Sequence, residues 1–150
     1  MTTEIYQLQA HDLDLFRAIS VMFGEAFDQG DIYVGKPPAD QYLHQLLASD
    51  YLIAIAAISS GVVVGGIVAY ELKKFEQQRQ EIYLYDLAVA ASYRRQGIAR
   101  AMIAQLQVIA KERGAYVIFV QADLEDEGAI ALYEQFGKGA EVLHFDIPCA

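Results

Sequence analysis

The stretch "YDLAVAASYRRQGIARAMIAQLQVIAKERGAYVIFV", residues 85 to 120, decides the fold. Its first part belongs to "EIYLYDLAV", Glu81 to Val89, which is rich in tyrosine and β-branched residues and nearly continuous in apolar character. Such a run is expected of a strand covered on both faces. Ile98, Met102, Ile103, Leu106, Ile109 and Ala110 then recur at helical spacing, with Lys111 and Arg113 suited to the helix C-terminus and Gly114 to its stop. "AYVIFVQAD" follows as a second buried strand. Strand, crossover helix and strand predict a right-handed βαβ unit with the two strands parallel.

Working outward, Tyr51 to Ile58 and Val62 to Leu72 form strands joined by "SSG", and so tight a connection makes an antiparallel hairpin. Upstream, a short apolar start at Ile5 to Leu8 precedes a helix over Asp12 to Phe27, with Leu15, Ile19, Met22, Phe23 and Phe27 on one face. "DQGDIYVGKPPAD" is expected to be a loop, because Pro37 and Pro38 prevent helix until Asp40 can cap "QYLHQLLAS". Downstream, Asp126 to Phe136 predicts a helix broken at "GKG", and "AEVLHFDI" a closing strand. The order is that of an α/β domain on a mixed sheet, antiparallel in its N-terminal part and parallel at the βαβ unit. All 150 residues fit a single domain.

Tyr51 to Tyr70 approaches membrane-span length, but Ser59, Ser60 and Gly61 interrupt it, so it is expected to be two strands and not a transmembrane helix. The N-terminus lacks the basic start and apolar core of a signal peptide, which points to the cytosol. A lone cysteine near the end, Cys149, and three scattered histidines predict neither an internal disulfide nor a metal site. The formal net charge of -9 argues against nucleic acid and favours a cationic partner.

Against that charge, "RRQGIAR", residues 94 to 100, concentrates three of the eleven basic side chains. The pattern Arg94-x-x-Gly97-x-Ala99 lies where a strand hands over to a helix, whose first amides have no internal partner and can bind phosphate oxygens. Gly97 removes the Cβ that would block close approach. The turn has neither the lysine and Ser/Thr of a P-loop nor the three glycines of a dinucleotide fingerprint.

With "YDLAV", "RRQGIA" and, some thirty residues on, "DEGAIALYEQFG", the chain resembles the GNAT superfamily of N-acetyltransferases. More narrowly, "KFEQQRQEIYLYDLAV", "GAYVIFVQAD", "ALY" and "HFDI" look like the GNAT-type aminoglycoside 3-N-acetyltransferases that confer gentamicin resistance. The resemblance implies a V-shaped splay in the sheet for acetyl-CoA. Leu87, Ala88 and Val89 would pair with the pantetheine arm, and Arg94 with the amides of Arg95, Gln96, Gly97, Ile98 and Ala99 would hold the diphosphate. Asp126, Ala129 and Tyr133 would border the cofactor, with Tyr133 protonating the departing thiolate. Asp126 stands where the common family form has asparagine, and "FGKG" replaces the usual Gly-Phe ending. The resemblance also implies a homodimer.

Acetyl transfer to a protonated amine needs a group that accepts its proton. Asp86 is the first choice, because an acid inside an apolar strand is costly unless it is partnered; Glu81 and Asp123 are alternatives. The amide of Leu87 or Val89 would polarise the thioester carbonyl. Direct attack in a ternary complex is expected, without a covalent enzyme intermediate. Glu25, Asp28 and Asp31, then Glu125, Asp126 and Glu127, then His144 with Asp146, supply acidic character that suits a polycation such as an aminoglycoside. Two rivals remain open: an acetyltransferase for a polyamine or a protein N-terminus, and a non-catalytic acetyl-CoA-binding module.

Overall fold

A computed structural model of the chain describes residues 2–150. Five strands, β1 (Thr3–Gln7), β2 (Leu52–Ser59), β3 (Val62–Lys74), β4 (Arg79–Val89) and β5 (Ala115–Val120), make one sheet in the order β1-β2-β3-β4-β5. The first three pairings are antiparallel and β4 with β5 is parallel, as the βαβ pattern requires. Between β1 and β2 lie helices α1 (Leu13–Ala26), α2 (Gly30–Tyr33) and α3 (Asp40–Ala48); α4 (Ile98–Glu112) is the crossover and α5 (Glu127–Glu134) follows β5.

The β2–β3 hairpin closes through Ser60 and Gly61, both at positive φ, the backbone that a two-residue turn matched to strand twist demands. On one face of the sheet α4 buries Ile98, Met102, Ile103, Leu106, Ile109 and Ala110 against Ile55, Ile67, Ile82 and Leu84. This is the stripe its spacing predicts. Each large side chain fully removed from water there contributes about 1.5–3 kcal/mol. The other face carries α1 and α3, with Phe16, Ile19, Met22 and Phe23 over Ala54, Ala56, Val68 and Ala88.

Two sequence expectations give way. The loop after α1 contains α2, a single helical turn whose Tyr33 hydroxyl and ring reach the sheet. The expected closing strand over Ala140–Ile147 is not formed: residues 138–150 are irregular and exposed throughout. Among the described residues no strand pairs with this segment, so its strand propensity has nothing to complete it.

Candidate active site

The register of β4 against its two neighbours builds the site. Pairing with β5 stops at Leu84 opposite Val120, so the last five residues of β4 have no partner on that side and the sheet opens between the two strands. On the other side Ala90 donates to the Val64 carbonyl of β3 at 2.8 Å. Backbone groups alternate along a strand, so Ala88 also turns its N–H and C=O to β3, while Leu87 and Val89 present theirs to the opening. Of the three residues expected to pair with pantetheine, Leu87 and Val89 offer the ladder. Ala88 instead packs in the core beneath α1.

A bulge aims the acid. Val68 faces Asp86 but Ala69 faces Leu84, which leaves Tyr85 as the extra residue. Without it, Leu84 and Asp86 would share a face, because side chains alternate with a period of two. With it, Ile82 and Leu84 remain with Leu87 and Val89 on the α4 side, and Asp86 and Ala88 turn toward α1. Asp86 thereby forms part of a cavity of about 270 Å³ whose walls include Phe16, Phe23, Tyr33, Val34 and Tyr70. It is the one carboxylate among the lining residues, in a predominantly apolar surround.

The Tyr33 hydroxyl donates to Asp86 Oδ1 at 3.1 Å. Burial pushes the Asp86 carboxyl above its ordinary value, and the Tyr33 hydrogen bond opposes this by favouring the ionised form. Tyr33 is itself pushed up to about 12, first by burial and then by the Asp86 charge, so it remains a donor at neutral pH. Its ring is held by Phe23 at 5.9 Å and Phe27 at 5.8 Å between centroids, and its carbonyl accepts from the Ser20 hydroxyl at 2.9 Å. Tyr33 and Tyr70 escaped the sequence reading. The one signal was indirect, since an acid inside an apolar strand demands a partner somewhere.

Past Val89 a short 3₁₀ turn, Ala91–Tyr93, leads into the anion turn. Gly97 has φ +81 and caps α4 without any side-chain cap bond; Arg95 is left-handed too, at φ +62. A Cβ built on Gly97 meets nothing within 4 Å. The space beside Gly97 is open, and the first-turn amides of α4 have no partner within the helix, a combination that fits a diphosphate. Arg94 turns inward, its Nε donating to the Val89 carbonyl at 3.1 Å, and so ties the anion turn to the end of β4. Gly97→Val places a β-branched residue in left-handed backbone, at a cost of about 1–2 kcal/mol. Solvent surrounds the turn, so it relaxes and the cost falls on ligand affinity. KM for acetyl-CoA is expected to rise about tenfold with Tm shifted by no more than a few degrees. An unchanged KM would remove this turn from the cofactor site.

Tyr133 lies on α5, partly buried against the α4 core cluster, and burial pushes its phenol up to about 12, with the Asp126 charge adding to it. The Asp126 carboxylate caps α5 by accepting from the Ala129 amide at 3.1 Å. The other expected acids stand away from the cavity. Glu81 accepts from the Tyr116 hydroxyl and pairs with Lys74 at 3.8 Å, five positions down β4 from Asp86. Asp123 is exposed in the turn after β5. His144 and Asp146 bond one another at 2.9 Å in the exposed tail, and are not among the residues lining the Asp86 cavity. Among the described residues no group of three or more His, Cys, Asp or Glu is placed to hold a metal, and no helix is long and apolar enough to cross a membrane.

A splayed parallel pair beside an amide-lined turn offers an elongated anionic ligand both a ladder and a set of free donors. The model of the Acetyltransferase (GNAT) family matches residues 14–138, and the chain belongs to that family. Acetyl-CoA is the family's acetyl donor. An aminoglycoside acetyltransferase structure from an uncultured soil metagenomic sample is 53% identical, with TM-score 0.97 and full coverage of both chains. A second, from the same kind of source and in complex with sisomicin, is 27% identical with TM-score 0.92, covering 99% of this chain and 97% of its own. Among curated proteins, "Probable N-acetyltransferase family 8 member 5" of Mus musculus is 29% identical over 71% of this chain. The chain spans about half the length of that relative, 51%.

Proposed function

We propose that the protein transfers the acetyl group of acetyl-CoA to the 3-amino group of the 2-deoxystreptamine ring of gentamicin-type aminoglycosides, and so confers resistance to them. The observation that carries this is the position of Asp86. It is a half-buried carboxylate held by Tyr33 in an aromatic cavity, one residue along β4 from the Leu87 amide that faces the sheet opening. The kinship to solved aminoglycoside acetyltransferases over the whole chain supports the substrate class.

The cavity has room for one aminocyclitol ring, and the remaining sugars would lie across its mouth. Exposed acids are available for them: Glu25 near the end of α1, Asp28 between α1 and α2, Asp31 in α2, and Glu125, Asp126 and Glu127 around the start of α5. Such charges attract a polycation over about 8 Å at physiological salt. Asp86 binds the ammonium group and takes its proton, directly or through water. The freed nitrogen attacks the thioester carbonyl carbon, while the Leu87 or Val89 amide stabilises the developing oxyanion. The C–S bond then breaks, the thiolate receives a proton from Tyr133, the nitrogen sheds its second proton to solvent to give the neutral amide, and solvent takes the proton from Asp86 and returns one to Tyr133. The working form is a homodimer.

The test is a thiol-release assay with acetyl-CoA across aminoglycosides bearing a free or a blocked 3-amine, with spermidine and an N-terminal peptide alongside. Release is expected with the free 3-amine and its loss with the blocked one. Equal turnover of both sets overturns the regiochemistry, and preference for spermidine or peptide overturns the substrate class. No release with any amine would leave a binding module.

A further inference from the structure

The bulge that turns Asp86 toward α1 turns Tyr85 the same way. In an uninterrupted strand these two neighbours would point to opposite faces, because side chains alternate. Here the Tyr85 ring meets Tyr70 edge-on, at 6.0 Å and 88°, and Tyr83 at 5.1 Å between centroids. Tyr70 and Tyr83 pair directly across β3 and β4, and Tyr70 packs with the α1 side of the sheet. An aromatic ring therefore stands beside the carboxylate on one face, and Tyr70, which lines the Asp86 cavity, touches it.

Tyr85 is 61% exposed in spite of both ring contacts. Its support is firm. Tyr83 stacks on Phe119 of β5 at 4.5 Å and 22°, and its hydroxyl donates to Gln121 Oε1 at 2.7 Å. A row of four rings thus runs from the cavity rim across three strands, with Tyr85 as the member open to solvent. Tyrosine offers a large contact area with only two side-chain torsions to fix, so it binds at low entropic cost. The Asp86 charge reaches these rings as well. After burial, it is the next cause that pushes the Tyr70 phenol up, and burial, Tyr85 and then Asp86 do the same to Tyr83. Neutral phenols with negative π-faces, set in the field of an acid, attract ammonium groups and the C–H face of an amino sugar.

At about 270 Å³ the cavity has room for one acceptor ring, and whatever is linked to that ring leaves past the rim. We propose that Tyr85 is a specificity-determining side chain for acceptors of more than one ring: the sugar linked to the ring in the cavity lies against the exposed Tyr85 face. This rests on the aminoglycoside reading above and names a subsite for it. Tyr85 meets no reacting atom in this arrangement, so its contribution is to binding alone.

The test compares the parent enzyme with Tyr85→Ala, Tyr85→Leu and Tyr85→Phe. The acceptors are gentamicin, sisomicin and 2-deoxystreptamine alone, the last as substrate or competitive inhibitor. Tyr85→Ala is expected to raise KM for gentamicin and sisomicin about fivefold, with kcat, KM for acetyl-CoA, the acid limb of the pH profile and 2-deoxystreptamine binding unchanged. Tyr85→Leu, which fills the space without a π-face, is expected to follow alanine, and Tyr85→Phe to keep the parent KM. Equal weakening of 2-deoxystreptamine, or a shifted acid limb, would mean that the ring only holds the bulge and Asp86 in place, and overturns the proposal. A parent enzyme that acetylates gentamicin with a KM indifferent to alanine and leucine overturns it while leaving the aminoglycoside reading. A parent enzyme that acetylates no aminoglycoside overturns both.

Discussion

Asp86→Asn is expected to lower kcat/KM for the amine about 10²–10⁴-fold, the range that a positioned proton acceptor contributes. The fold should not suffer. Burial raises the Asp86 pKa above its unfolded value, so the folded state holds the proton more tightly than the unfolded one. The stability it contributes is therefore present below the ordinary carboxylate range and is lost as pH rises through the raised value. At neutral pH the ionised group is a cost. Asparagine removes that cost and its carbonyl still accepts from Tyr33, so Tm is expected to hold or rise while activity falls. A variant that retains full kcat/KM would take Asp86 out of proton transfer.

Tyr33→Phe provides the matching control within the same series. It deletes the bond that favours the carboxylate, leaving burial unopposed, so the Asp86 pKa moves further up. Activity falls as pH drops through that pKa, so the acid limb of the kcat/KM profile is expected to move to higher pH. Packing against Phe23 and Phe27 is kept by the phenylalanine ring. An unmoved acid limb would mean that another group governs it.

How much of this was legible in the sequence follows the range of the forces involved. The α4 stripe and the parallel β4–β5 pair were readable because periodicity is local and each apolar residue votes the same way. Asp86 was readable as a candidate by its cost alone, since a carboxylate among Leu84, Leu87 and Val89 needs an explanation. Its direction was not. That depends on the bulge at Tyr85, which is a property of register against β3 and leaves no mark on composition. Tyr33 lay hidden for a related reason: it meets Asp86 across 53 residues, from a segment whose prolines and glycines read only as loop.

The tail shows the opposite case. Its alternation predicts a closing strand, but residues 138–150 are irregular, because a strand also needs a neighbour's hydrogen bonds, which the sequence pattern of one segment does not specify. Among the described residues no strand pairs with it, and His144 and Asp146 are not among the residues lining the Asp86 cavity.

Tyr133→Phe carries the second large effect. The phenol holds its proton at any physiological pH because burial has pushed its pKa to about 12, so it enters the reaction as a donor. The thiolate, whose conjugate acid has an ordinary pKa near 8.5, is a weaker base than the phenolate, so the Tyr133 hydroxyl helps by donating a hydrogen bond to sulfur as the C–S bond breaks, and a phenolate left by transfer is reprotonated at once from solvent. Removing the hydroxyl therefore acts on the step that expels the thiolate and hardly on binding. kcat is expected to fall about 10²-fold with both KM values within a few-fold of the parent. The ring still packs against the α4 core cluster, so Tm should stay within a few degrees. The ordering of the two variants is itself informative. If Asp86 and Tyr133 serve different proton transfers in one sequence, Tyr133→Phe should flatten the alkaline side of the kcat profile and leave the acid limb where Asp86 sets it. Full kcat in Tyr133→Phe would reduce this side chain to packing, and the thiolate would then depart protonated by water entering at the open end of the β4–β5 splay.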